Sequence, residues 1–134
     1  MTRVVVDTNV VLSSVFWQGA PYELMSRGLN NEFELVTSPQ IIDEVAEKLS
    51  VKFAYPEDQI TVIVDVMMSL FHVVDTTSVF KHSRDANDDM VLACAVDGAA
   101  DYLITGDKDL LVLNEFNGVK IIAAKEFLAI LDKT

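Results

Sequence analysis

The sequence predicts an α/β chain, a three-layer α/β/α sandwich around a central, mainly parallel sheet. Three observations carry that expectation. Short apolar runs such as Val4-Val5-Val6 are too brief and too β-branched for helices. They alternate with longer stretches of helical spacing, the pattern of strand-helix-strand folds. The strand-like runs are also apolar at consecutive positions, as in strands covered on both faces.

The elements follow in order. Residues 4–6 read as a buried strand, and Asp7-Thr8-Asn9 supplies capping and turn residues before a helix over 10–16. Pro21 starts a second helix, through Leu24 and Met25 to Leu29, which Asn30-Asn31 ends. Residues 33–36 form a short strand. Ser38 is a good N-cap with Pro39 at the first helical position, and that helix runs to about Leu49. Pro56 starts the next, with Ile60, Val64, Met67 and Leu70 or Phe71 on one face. Val73-Val74 is a brief strand. From Asn87 or Asp88 a helix apolar nearly all round runs to about Val96, and Gly98 stops it. Residues 102–105 are a strand, 107–111 a short helix or turn, 119–122 the final strand, and 124–131 a closing helix.

A chain of 134 residues with 51% hydrophobic content matches one domain over residues 1–134. Its apolar stretches fall well short of the roughly 20 residues of a membrane span, so no membrane partner is expected. No leader of basic, apolar and small residues opens it. Cys94 stands alone in an apolar helix pattern, where core filling is the plain expectation. A reducing cytoplasm fits best. The net charge of −11 argues against simple electrostatic attraction to nucleic acid. Two bound Mg²⁺ ions would cancel four of those charges. Lys81, His82 and Arg84 form the notable basic cluster, either a solvated loop or a phosphate-contacting one.

Four carboxylates stand where apolar elements end or begin. Asp7 closes the run Arg3-Val4-Val5-Val6, and Asp107 follows Tyr102-Leu103-Ile104-Thr105-Gly106. Asp89 opens an apolar stretch beginning at Met90, and Glu44 lies in the helical pattern after Pro39. In open parallel sheets, ligands bind beyond the carboxyl ends of the strands, so Asp7 and Asp107 are expected on one edge. Carboxylates gathered there resist ionisation unless a positive group joins them. A hard divalent cation, which prefers oxygen ligands, meets that need.

Each acid also has a plainer role. Asp7 can be an N-cap, and Asn9 can orient it or bind the turn backbone. At 100° per residue, Ile41, Ile42, Val45, Ala46 and Leu49 form a buried stripe with Glu44 at its border. Glu44 can then lean into a cleft or make an exposed pair with Lys48. Asp88 and Asp89 both suit the positive end of a helix dipole. Capping explains one of them more readily than two, and Asp89 borders the apolar segment more directly. Asp109 is a supporting acid or another cap.

Taken together, these residues resemble the PIN-domain family of metal-dependent ribonucleases. Val4-Val5-Val6-Asp7-Thr8-Asn9-Val10 resembles its first motif, and Ser38-Pro39-Gln40-Ile41-Ile42-Asp43-Glu44-Val45 the segment bearing its glutamate. Arg84-Asp85-Ala86-Asn87-Asp88-Asp89-Met90 resembles the third motif, and Thr105-Gly106-Asp107-Lys108-Asp109 the fourth. The match spans nearly the whole chain in the family's order, and is most similar to the VapC-like toxin components of toxin–antitoxin pairs. The resemblance implies metal-binding and catalytic roles for Asp7, Glu44, Asp89 and Asp107, with Asp88 competing for the third position and Asp109 open as a fifth acid. It implies Mg²⁺ or Mn²⁺ as cofactor, RNA as substrate, an antitoxin protein as partner and a homodimer.

Two other readings compete. A phosphohydrolase of the haloacid-dehalogenase type also begins with a strand and an Asp, but its second acid two residues on is Asn9 here. A catalytically silent PIN-like binding or regulatory module suits the acidic surface. No His/Cys set supports zinc, and His72 and His82 are too isolated to serve as general bases.

Overall fold

Residues that resist helical packing make up the centre of the sheet. In the computed structural model, which describes residues 1–81 and 85–133, β1 (Arg3–Val6) lies between β2 (Glu34–Thr37) and β4 (Tyr102–Ile104). Val5 is opposite Val36 on one side and Leu103 on the other, both pairings parallel. Val4, Val5, Val36, Leu103 and Ile104 are wholly buried, which is why these strands are apolar at successive positions. Three residues of the basic cluster region, His82, Ser83 and Arg84, lie outside the described residues, as does Thr134.

The sheet order is β3-β2-β1-β4-β6-β5, where β3 is His72–Val73, β5 is Glu115–Phe116 and β6 is Val119–Ile122. All neighbouring pairs are parallel except β5 with β6. That exception is a hairpin turned by Asn117 and Gly118, at φ 49° and 86°. A two-residue Asn-Gly turn with both φ positive matches the right-handed twist of its strands. The sequence reading placed the last strand correctly but did not anticipate this hairpin.

Among the described residues seven helices flank the sheet, giving the expected three layers: α1 (Thr8–Phe16), α2 (Ala20–Leu29), α3 (Pro39–Val51), α4 (Glu57–Leu70), α5 (Ala86–Asp97), α6 (Lys108–Leu111) and α7 (Ala124–Asp132). None is long and apolar enough to cross a membrane. Ser38 caps α3 by accepting from the Ile41 N–H, and Pro39 opens it. α5 packs against β1, β2 and β4, which explains a helix apolar nearly all round. Cys94 on it is fully buried, and burial pushes its thiol up to about 12 despite a Ser38 hydrogen bond. It fills the core.

The amino-terminal edge of the sheet is tied by one residue. Arg3 donates from Nε to the Gly98 carbonyl (2.8 Å) and from a terminal nitrogen to Glu34 (3.0 Å). Its backbone N–H donates to Asp101 at 2.9 Å.

Candidate metal centre

The order of strands reverses between β1 and β4, because β1 continues to β2 on one side and β4 to β6 on the other. Beyond the carboxyl ends of such a pair the flanking loops part and leave a crevice. Asp7 and Asp107 both emerge there. The Asp7 N–H still donates to the Ile104 carbonyl at 2.9 Å, so its carboxylate stands at the crest of the sheet.

Thr105 organises this crest. Its hydroxyl donates to Asp7 Oδ2 at 2.7 Å and accepts from the Asp107 N–H at 3.0 Å. Asp107 caps α6, accepting from the Asp109 N–H at 2.8 Å. Both expected acids of the strand ends are thus locked by one buried threonine, a residue the sequence reading assigned no role. A threonine ending a strand two residues before an Asp was the available signal.

Asp7 is only 6% exposed. Burial raises its pKa above the ordinary carboxylate value, and the charges of Glu44 and Asp107 raise it further. The Thr105 hydroxyl and the Asn9 amide oppose that shift, although Asp7 makes no side-chain cap of hydrogen-bond geometry on α1. The site therefore favours a proton or a cation on Asp7 over a bare charge.

Glu44 reaches the same place from α3. Its side chain sits at the border of the Ile41–Ile42–Val45–Leu49 stripe, and Oε2 is buried with no hydrogen-bond partner among the described residues. The Glu44–Lys48 pair is not made. Lys48 Nζ instead donates to Asn9 Oδ1 at 3.3 Å. Thr8 Oγ1 and Thr37 Oγ1, at the carboxyl ends of β1 and β2, are likewise buried without such a partner.

The two acids that compete for the third position, Asp88 and Asp89, are placed differently from one another. Asp88, Asp107 and Asp109 each bring a carboxylate oxygen within 4.8 Å of the others. Asp88 is 5% exposed, and Asp89 is only partly buried. Helical geometry gives the reason: Asp88 shares its face with Val91, Leu92 and Ala95, all buried, three, four and seven residues on. Asp89 is rotated by about 100° from it and lines a groove of about 460 Å³ with Gln40, Phe80, Lys81, Met90 and Ala93. Neither acid is needed as the cap, because Asp85 accepts from the Asn87 N–H at 2.9 Å. The groove wall is pinned by Asp97, which accepts from the Thr77 and Ser78 N–H groups and the Ser78 hydroxyl. Those bonds hold its carboxyl below the usual range, the hydroxyl contributing most.

These residues fit a hard divalent cation. Asp88, Asp107 and Asp109 offer only carboxylate oxygens, no His or Cys joins them among the described residues, and Glu44, whose charge acts on neighbouring Asp7, has a buried oxygen without a partner. Such a site at a switch point defines a class: α/β domains that gather acids beyond the strand ends of a parallel sheet.

Within that class, the chain belongs to the PIN domain family, which it matches over residues 3–109. The members of that family are generally nucleases. Among solved structures it is similar to VapBC2 from Rickettsia felis bound to a DNA fragment from its promoter, at TM-score 0.63 and 12% identity, covering 90% of this chain and 97% of that one. PAE2754 from Pyrobaculum aerophilum is similar at TM-score 0.61 and 16% identity, covering 99% and 91%. FitAcB from Neisseria gonorrhoeae follows at TM-score 0.55 and 14% identity, covering 91% and 98%. At these identities the likeness is one of fold. No curated protein matches the chain.

Proposed function

We propose that residues 1–134 act as a metal-dependent endoribonuclease that hydrolyses RNA phosphodiester bonds, and as the toxin of a toxin–antitoxin pair. The supporting observation is that Asp107 links two acidic groups, acting with Glu44 on the charge of Asp7 and lying beside Asp88 and Asp109, while Glu44 Oε2 lacks a partner among the described residues. Asp7, Glu44 and Asp107 would hold Mg²⁺ or Mn²⁺. Asp88 would compete with Asp89 for the third position, and its grouping with Asp107 and Asp109 supports it. An ion held there would supply charge to the scissile phosphate and a lowered pKa for an attacking water.

The chain's own residues prepare that chemistry. Thr105 holds the Asp7 carboxylate by one oxygen and fixes the Asp107 backbone, which orients both acids. Glu44 would be a ligand or would position the attacking water, and its buried, unpartnered Oε2 supports either role. Burial of Asp7 favours exchange of its proton for a cation.

The fold shared with VapBC2 and FitAcB supports an antitoxin protein as partner, and a homodimer in the cytoplasm remains what the VapC-like motifs imply. The −11 charge favours a second reading, a catalytically silent module that binds a basic protein. RNA cleavage assayed with Mn²⁺, Mg²⁺ and EDTA, for wild type and Asp7→Asn, separates them. Turnover is expected only in the wild type with metal. Tight Mn²⁺ binding without turnover favours the silent module, and cleavage surviving both chelation and substitution excludes the metal mechanism.

A further inference from the structure

We infer that Lys48 grips a phosphate of the substrate strand at the rim of the acid pocket, an assignment that rests on the ribonuclease reading above. Lys48 lies one turn after Glu44 on α3, and its ammonium reaches Asn9, two residues beyond Asp7. Two elements that carry pocket acids thus hold this cation between them.

Its partner is the informative part. An i,i+4 glutamate was within helical reach, yet among the described residues Lys48 makes no ion pair with Glu44 or any other acid. The amide oxygen of Asn9 orients the ammonium without neutralising it. Both described arginines are engaged elsewhere: Arg3 with Glu34 at the opposite edge of the sheet, and Arg27 with Glu32 and Asp132. A polyanion approaching a chain of net charge −11 needs positive charge close to the reacting bond. Lys48 supplies one that is already aimed and still charged.

The test uses Lys48→Gln, which can still donate to Asn9, and Lys48→Arg, which keeps the charge. Cleavage kinetics are measured for each. Binding of a fluorescein-labelled single-stranded RNA of mixed sequence is followed with Mn²⁺ in an Asp107→Asn background across a KCl series. The Gln variant should raise KM and weaken binding by about tenfold, as loss of one charge-assisted contact implies, with kcat and melting temperature near wild type. The slope of log affinity against log salt should shrink by about 0.7, one single-strand phosphate contact. The Arg variant should restore both. Wild-type cleavage with an unchanged Gln-variant KM and slope overturns this inference alone. Absence of wild-type cleavage with the slope change present overturns the ribonuclease reading and leaves Lys48 as a phosphate contact. Failure of arginine to rescue reduces Lys48 to a tether between α1 and α3.

Discussion

The two edges of the parallel sheet treat their acids in opposite ways. At the amino-terminal edge Glu34 and Asp101 are both met by Arg3, through its guanidinium and its backbone N–H. At the carboxyl-terminal edge Asp7, Glu44, Asp88, Asp107 and Asp109 accumulate around a threonine, and the one described lysine bound nearby is held by an amide. The same chain can pair acids where pairing serves the fold. At the acidic edge Asp7 in particular is held buried at a cost that a proton would relieve, and under the proposed function a cation would relieve it too.

Breaking the acidic edge should have the largest effect. Asp107 touches both halves of the site, as a charge felt by Asp7 and as a neighbour of Asp88 and Asp109. Asp107→Asn is expected to lower RNA cleavage by about 10³-fold, the several kcal/mol a ligated cation supplies, and single-turnover assays would show it. A sharper contrast lies within α5. Asp88→Asn should cost about 10²-fold in rate, and Asp89→Asn only a few-fold, if burial marks the metal-facing acid. The reverse order would return the third position to Asp89.

Thr105→Val tests the support beneath Asp7. It should weaken Mn²⁺ binding by about 10- to 100-fold, the usual loss when a ligand's outer partner is removed, as calorimetry would record. Unchanged affinity would make Thr105 a packing residue only. The paired edge should respond in the other currency: Arg3→Met is expected to lower stability by about 1 kcal/mol while RNA cleavage persists. Denaturant unfolding and a cleavage assay on the same preparation would reveal any leakage between the edges.

The smallest expected effect is the pH response of Asp7. Its folded pKa lies above the model-compound value of 3.8. Metal-free protein should therefore lose stability as pH rises from that value through the folded one, because only the native state then holds the proton. Asp7→Asn should remove that slope, and Mn²⁺ should reverse its consequence above the folded pKa. Thermal melts across pH, with EDTA and with Mn²⁺, measure it. A wild-type slope retained in the Asn variant would assign the titration to another group.

Much of the fold was legible because it rests on local signals. Val4-Val5-Val6 can only be a buried strand, Ser38-Pro39 starts a helix wherever it occurs, and Gly98 ends α5 as expected. Asn117-Gly118 was equally local and marks the hairpin that the strand pattern alone did not reveal. The site divided along the same line. Asp7 and Asp107 follow strands that pair in parallel, so their shared edge was open to inference from sequence. The choice between Asp88 and Asp89 was not, since both sit in one helical turn and only the packing of Val91, Leu92 and Ala95 on the sheet sets which faces inward.

By itself, the sequence determined which segments become strands and helices and which acids stand at their junctions, because spacing and capping act over a few residues. The tertiary structure alone decided that Thr105 joins Asp7 to Asp107, that Lys48 turns to Asn9 instead of Glu44, and that Asp88 is buried beside Asp107 and Asp109. Those outcomes depend on helix rotation and strand adjacency across dozens of residues, where no local preference reaches.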